Sequence, residues 1–122
     1  MARITGLGGL FFKAKDPKAL LAWYRDVLGL ATQDWGGVQF NAGGGAPPFS
    51  VWSAFADTTD YMKPSTKPFM FNFAVDDLDG FLAQLGAKDV EILGRDDSDP
   101  NGGFAWILDP EGNKIELWQP AS

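Results

Sequence analysis

The chain has no cysteine and no histidine. The first absence removes disulfides, thiolate metal sites, iron–sulfur clusters and cysteine nucleophiles. The second removes a Ser-His-Asp triad, imidazole acid–base catalysis and His-based zinc or iron sites. A homodimer would lack all of these equally. Basic residues are few, 10 against 16 acidic ones, for a net charge of −6. Such a domain repels a phosphate backbone, so nucleic acid is not an expected partner. No apolar run reaches the roughly 18 residues of a membrane span. The opening residues MARITGLGGLFFKAKD make a poor signal peptide. These features lead to the expectation of a cytoplasmic protein that does not engage membranes.

What the sequence has is an apolar fraction of 45% and 10 Phe, 5 Trp and 2 Tyr in 122 residues. That is enough for one domain with its own core. Asp16-Pro17 reads as an N-cap followed by proline at the first helical position. Leu20, Leu21, Trp23, Tyr24, Val27 and Leu28 follow at helical spacing, and Gly29 is the stop. A second helix starts at Asp76 or Asp77, carries Leu78, Phe81, Leu82 and Leu85 on one face, and ends at Gly86. Strand-like runs precede the helices at 7–14 and 69–75. Others follow at 31–35, 38–41 and 49–55, and again at 90–93, 104–108 and 114–119.

Strand–helix–strand–strand–strand therefore occurs twice. A shift of 61 residues lays Asp16 on Asp77, Phe12 on Phe73 and Leu10 on Phe71. The reading is an internal duplication within a single domain. Module one covers about 4–57, a linker about 58–67, and module two about 68–120.

The last hairpin can be set in register from its loop. Asp109 to Asn113 as a five-residue connection pairs Leu108 with Lys114, Trp106 with Glu116 and Phe104 with Trp118. Period two puts those residues on one face and Ala105, Ile107, Ile115 and Leu117 on the other, where a helix can pack. Glu116 thus stands among aromatic rings. By the same rule Phe11 accompanies Gly9, and Asn72 accompanies Met70. A face of aromatic rings with few polar groups has the composition that lines a small-molecule site. Glu116 is the candidate for chemistry, as a general base or as a hydrogen-bond anchor. The competing reading is a structural carboxylate satisfied by Lys, Arg or Asn72. Trp52, Trp106 and Trp118 are candidates for stacking a planar ligand, or else for plain packing.

Other motifs are weaker. Asp97, Asp99, Asn101 and Gly102 imitate the first half of a calcium loop, but the twelfth position is Leu108, so a solvated acidic loop is expected. Gly6-Leu7-Gly8 is followed by Phe11 at the third glycine place of a dinucleotide fingerprint and reads as strand. The stretch at 43–48, GGGAPP, lacks the Lys-Ser/Thr of a phosphate loop and reads as a hairpin tip at the cavity rim.

Three stretches, WYRDVLGL at 23–30, FAVDDLDGFLAQL at 73–85 and ILDPEGNKIELWQP at 107–120, resemble the vicinal oxygen chelate superfamily, the glyoxalase, bleomycin-resistance and extradiol-dioxygenase group. The resemblance implies an α+β fold of two tandem βαβββ modules, curved mixed sheets around a concave pocket, and a homodimer. It also implies four metal-ligand positions, on the first and last strands of each module. Here they fall on Gly9, Met70, Glu116 and a residue among 50–52, for which Trp52 is favoured. Only Glu116 suits a metal, so no cofactor is expected, with a hard, oxygen-bound divalent ion left open. An extradiol dioxygenase needs two histidines and a carboxylate on its iron, which this chain does not have. The expected function is that of a glyoxalase/bleomycin-resistance-like binder of a small hydrophobic or aromatic molecule, with a degenerate metal site. The alternative is a lyase or isomerase using Glu116 as base or as sole metal ligand of the family type.

Overall fold

The computed structural model describes residues 1–41 and 47–122. The hairpin tip expected at 43–48 lies largely outside the described residues. In chain order the elements are β1 (Ile4–Ala14), α1 (Pro17–Leu28), β2 (Gly37–Asn41), β3 (Phe49–Ala56), β4 (Phe69–Val75), α2 (Leu78–Gly86), β5 (Gly94–Asp99), β6 (Gly102–Leu108) and β7 (Lys114–Pro120).

Both helices begin as their caps dictate. The Asp16 carboxylate accepts from the Ala19 amide with Pro17 in the first turn, and Asp77 accepts from Gly80 N. The α1 helix ends at Gly29, whose φ of 76° is the left-handed conformation of a C-terminal glycine. Gly86 does not play this part for α2. It is the last helical residue, and the left-handed position is Asp89 (φ 63°), an acidic side chain able to occupy that region.

One seven-stranded curved mixed sheet runs in the order β2-β3-β1-β4-β7-β6-β5. Within each module the first strand pairs in parallel with the last, β1 with β3 and β4 with β7. The modules join through antiparallel β1–β4, where Leu10 pairs with Phe71. Those two residues coincide under the 61-residue shift, so the pseudo-twofold axis of the duplication passes between them.

Two expected strands are absent. Residues 31–35 form a turn with one isolated bridge, Gln33 to Gly37, so the second strand of module one is reduced to a single pair. Residues 90–93 also make no strand. Val90 and Ile92 instead pack against the core beneath α2, and the strand that follows is the polar run GRDDSD, paired from Gly94 opposite Trp106. Hydropathy located the packing, whereas ladder pairing chose the strand. The same strand absorbs part of the expected acidic loop, since Asp97 and Asp99 lie in β5 and only the turn at 100–101 separates it from β6.

The helices cover one face of the sheet. Val75, Leu78, Ala105, Ile107 and Leu117 form the core under α2, as the alternation in the final hairpin requires. The α1 helix is more loosely seated. Leu21 is buried, but Trp23, Val27 and Leu28 are exposed despite their place in the apolar pattern. A smaller cluster, Phe11, Met62 and Met70, lies on the opposite face, beside the cavity described next.

Candidate functional site

The final hairpin has the register read from its loop: Leu108 faces Lys114, Trp106 faces Glu116 and Phe104 faces Trp118. Parallel pairing of β4 with β7 sets Asn72 opposite Glu116. Asn72, Glu116 and Trp106 therefore form one row across three adjacent strands, and their side chains meet. Glu116 is 2% exposed. Its Oε1 accepts from Asn72 Nδ2 at 2.6 Å, and its Oε2 accepts from Trp106 Nε1 at 2.8 Å and from the Tyr61 hydroxyl. Both oxygens are thus engaged by uncharged donors, and no Lys or Arg forms an ion pair with Glu116 among the described residues. A buried charge with three donors has its desolvation largely offset.

Tyr61 comes from the segment expected to be a linker. That segment is built into the site: Met62 has no exposed surface, Ser65 is buried, and the Tyr61 ring stacks on Phe55 with centroids 5.7 Å apart. Burial, and then the nearby Glu116 carboxylate, pushes the Tyr61 phenol well above its ordinary value. Lys114 holds the same segment from below. Its Nζ donates to the Tyr61 carbonyl at 2.5 Å and lies over the Tyr61 and Trp106 rings at 5.2 and 5.6 Å. Burial lowers the Lys114 pKa, with the Glu116 charge opposing.

These groups face a cavity of about 450 Å³. Module two contributes Asn72, Asp99, Asn101, Phe104, Glu116 and Trp118. Module one contributes Gly8, Phe11, Trp35, Gln39, Phe49, Val51, Ser53 and Phe55, and Tyr61 stands between the two sets. The indole N–H of Trp118 donates to the Asn101 carbonyl at 2.8 Å, and Phe49 meets the Trp118 ring edge-on at 5.0 Å.

Of the residues singled out in the sequence, Phe11, Asn72, Phe104, Trp118 and Glu116 line this cavity. Trp106 touches it only through Glu116. Trp52 does not belong there. It lies on the helix face of β3, against Phe12 at 5.1 Å and Tyr24 at 4.6 Å. The register explains the difference. Phe11 pairs with Ser53, as Asn72 pairs with Glu116, so Ser53 and not Trp52 is the module-one counterpart of Glu116. The position differs by one residue, which in a strand reverses the face. A register shift in β1 between Leu7 and Gly9 has a similar effect, bringing Gly8 to the cavity wall. A Cβ on Gly8 would overlap Asn72 Oδ1 and press on Trp118 Cε3 at 3.0 Å. Asn72 Oδ1 is buried and has no hydrogen-bond partner.

The donor set does not fit a divalent ion. Met70 is packed among Phe11 and Met62, Gly9 has no side chain, and both oxygens of Glu116 already accept hydrogen bonds. No group of three or more metal-binding side chains is close enough to hold an ion among the described residues. Sequence reading missed Tyr61, Ser53 and Phe55. Tyr61 carried one usable signal, an aromatic next to methionine in an otherwise polar segment, whereas the other two depend on strand register.

The family model described as a glyoxalase-like domain matches residues 9–118. No curated protein matches the sequence. Among solved structures, a methylmalonyl-CoA epimerase variant from Streptomyces coelicolor has a TM-score of 0.70 at 17% identity, covering 98% of this chain and 100% of that one. Methylmalonyl-CoA epimerase from Mycobacterium tuberculosis has a TM-score of 0.63 at 21% identity, covering 98% and 90%. A glyoxalase/bleomycin resistance protein/dioxygenase superfamily member from Vibrio splendidus 12B01 has a TM-score of 0.57 at 13% identity, covering 98% and 99%. At these identities the likeness is one of fold.

Proposed function

Because the chain belongs to the glyoxalase-like domain family, within the vicinal oxygen chelate superfamily, we propose that it is a metal-independent binder of a small aromatic or hydrophobic molecule, held in the cavity between its two modules. The observation that carries this reading is the occupied carboxylate. Glu116 stands at the family's remaining ligand position, yet Asn72, Trp106 and Tyr61 take both of its oxygens, leaving it as the polar anchor of an aromatic cavity. About 450 Å³ falls within the roughly 300–1,000 Å³ of small-molecule sites. The ring faces of Phe11, Phe55, Phe104 and Trp118 suit a planar body. The ligand set is Phe11, Asn72, Phe104, Trp118 and Glu116 from the sequence, joined by Ser53, Phe55 and Tyr61. Trp106 serves by fixing the Glu116 carboxylate.

The alternative, a lyase or isomerase with Glu116 as base, requires a substrate C–H to reach a carboxylate oxygen that now accepts from Asn72, Trp106 or Tyr61. Three of its roughly four lone-pair sites are already used, and the one left on Oε1 lies beside the Asn72 amide. That geometry favours anchoring over proton abstraction. The protein is further proposed to act as a homodimer, since Trp23, Val27 and Leu28 leave an apolar face of α1 open.

The test is calorimetric titration of chelator-treated protein with 1-naphthalenemethanol, an uncharged planar probe. Saturable binding with one site per chain is expected without added metal. Absence of saturable binding, or binding that appears only on adding zinc or magnesium, overturns the reading.

A further inference from the structure

Among the described residues lining the cavity, the charged side chains are Glu116 and Asp99, and both are acidic. Lysine and arginine are missing from that set, and residues 42–46, AGGGA, carry no charge. The nearby cation, Lys114, is held by the Tyr61 carbonyl and by two aromatic faces. The free polar valence has the same sense. Asn72 is 3% exposed and lines the cavity beside Gly8, and its unpartnered atom is an acceptor, Oδ1. Its amide N–H is given to Glu116 at 2.6 Å. Donation to a carboxylate polarises the amide and strengthens its carbonyl oxygen as an acceptor, so the buried negative charge is felt at Oδ1.

Resting on the small-molecule reading above, we infer that the cavity selects a planar aromatic ligand bearing a protonated amine or amidine and excludes anions. An ammonium or amidinium supplies the positive charge that Glu116 and Asp99 lack, and it is favoured further by the uncompensated Asn72 carbonyl dipole behind the wall. Its ring can lie against Phe11 and Phe55, and its cationic end against the face of Trp118. The net charge of −6 draws such a ligand in. A carboxylate or phosphate meets two like charges and finds no counter-ion among the described lining residues. The Streptomyces epimerase structure holds a CoA ester, 2-nitronate-propionyl-CoA. Among the described residues lining this cavity there is no cation for the phosphates of such a ligand, so a shared fold does not carry over a shared ligand class.

Three probes with one ring system test the inference: 1-naphthylmethylamine, 1-naphthalenemethanol and 1-naphthoate, titrated calorimetrically at pH 7. The amine is expected to bind roughly tenfold or more tighter than the alcohol, the range of a charge-assisted hydrogen bond, and the acid more weakly than either. In Glu116→Gln most of the preference for the amine should be lost. In Asp99→Asn, at the less buried carboxylate, it should fall in part, and this variant decides the matter if Glu116→Gln does not fold. Equal or tighter binding of the acid overturns the inference, as does an amine preference unchanged in the variants. If the alcohol binds and the amine gains nothing, the charge selection fails while the binding function stands. If no probe binds, both fail together.

Discussion

Three donors converge on Glu116, so the consequence of replacing it depends on what the new side chain offers them. Glutamine keeps one acceptor oxygen for Trp106 and Tyr61, and turns an amide N–H toward Asn72. Asn72 can then rotate its own amide, presenting the oxygen that has no partner in the native protein. Glu116→Gln should therefore change stability by no more than about 1 kcal/mol. Glu116→Leu strands three donors at once and should cost roughly 3–5 kcal/mol. Paired urea denaturation curves check both, and a large loss in the glutamine variant would mean that the charge itself is structural. Tyr61 gives a prediction in pH. Its folded pKa lies above the unfolded value of about 10. Its contribution is thus fully present below pH 10 and is lost as pH rises, because the unfolded chain ionises first. The stability difference between the native protein and Tyr61→Phe should be constant up to about pH 9 and shrink above pH 10. A difference independent of pH across that range would show that the phenol is not held neutral by its surroundings.

Among the elements, the 57–68 segment departs most from its sequence character. It is polar on average, yet Met62 has no exposed surface and packs with Phe11 and Met70 next to the cavity. Met62→Ala should destabilise by about 2–4 kcal/mol, as for other buried methionines, and should also weaken binding of an aromatic probe by loosening Tyr61. Thermal unfolding and probe titration measure the two effects. A segment serving only as a tether would show neither. Strand β5 illustrates the same limit of composition. GRDDSD forms an edge strand because β6 offers it a partner, and its charges suit an edge by discouraging further pairing. The apolar run at 90–93, by contrast, is drawn to the α2 core. At 90–93 hydropathy reports burial. It does not report which backbone finds a ladder.

At the level of the whole molecule, duplication sets two similar halves face to face but fills them unequally. Phe11, Ser53 and Phe55 of module one correspond to Asn72, Glu116 and Trp118 of module two through the two parallel pairings. One wall is therefore mostly apolar, and the other carries the carboxylate and the amide. A ligand with a flat body and one polar end is matched to that asymmetry. The outer surface is uneven as well, with Trp23, Val27 and Leu28 exposed along α1. Sedimentation at tens of micromolar should find a dimer, and Trp23→Glu should shift it toward monomer. A native monomer at that concentration would remove the proposed dimer.

The start of α1, the start of α2 to within one residue and the pairing of the last hairpin were determined by the sequence alone, because each rests on short-range physics; the duplication was legible as self-similarity at a shift of 61 residues. Asp16 and Asp77 cap within three residues, and a five-residue loop fixes the register of Trp106, Glu116 and Trp118. The placement of Phe11 and Asn72 on the Glu116 face followed from strand alternation counted from family positions. What tertiary structure decided was every contact that depends on register between distant strands or on a segment folding back. The β1–β3 pairing put Ser53, not Trp52, opposite Phe11, and a single residue of register separates the cavity from the helix face. The shift between Leu7 and Gly9 set Gly8 against the Asn72 side chain, while Gly9 pairs with the Asn72 backbone. Tyr61 lies 55 residues from the carboxylate it binds, and no local pattern encodes a contact of that range.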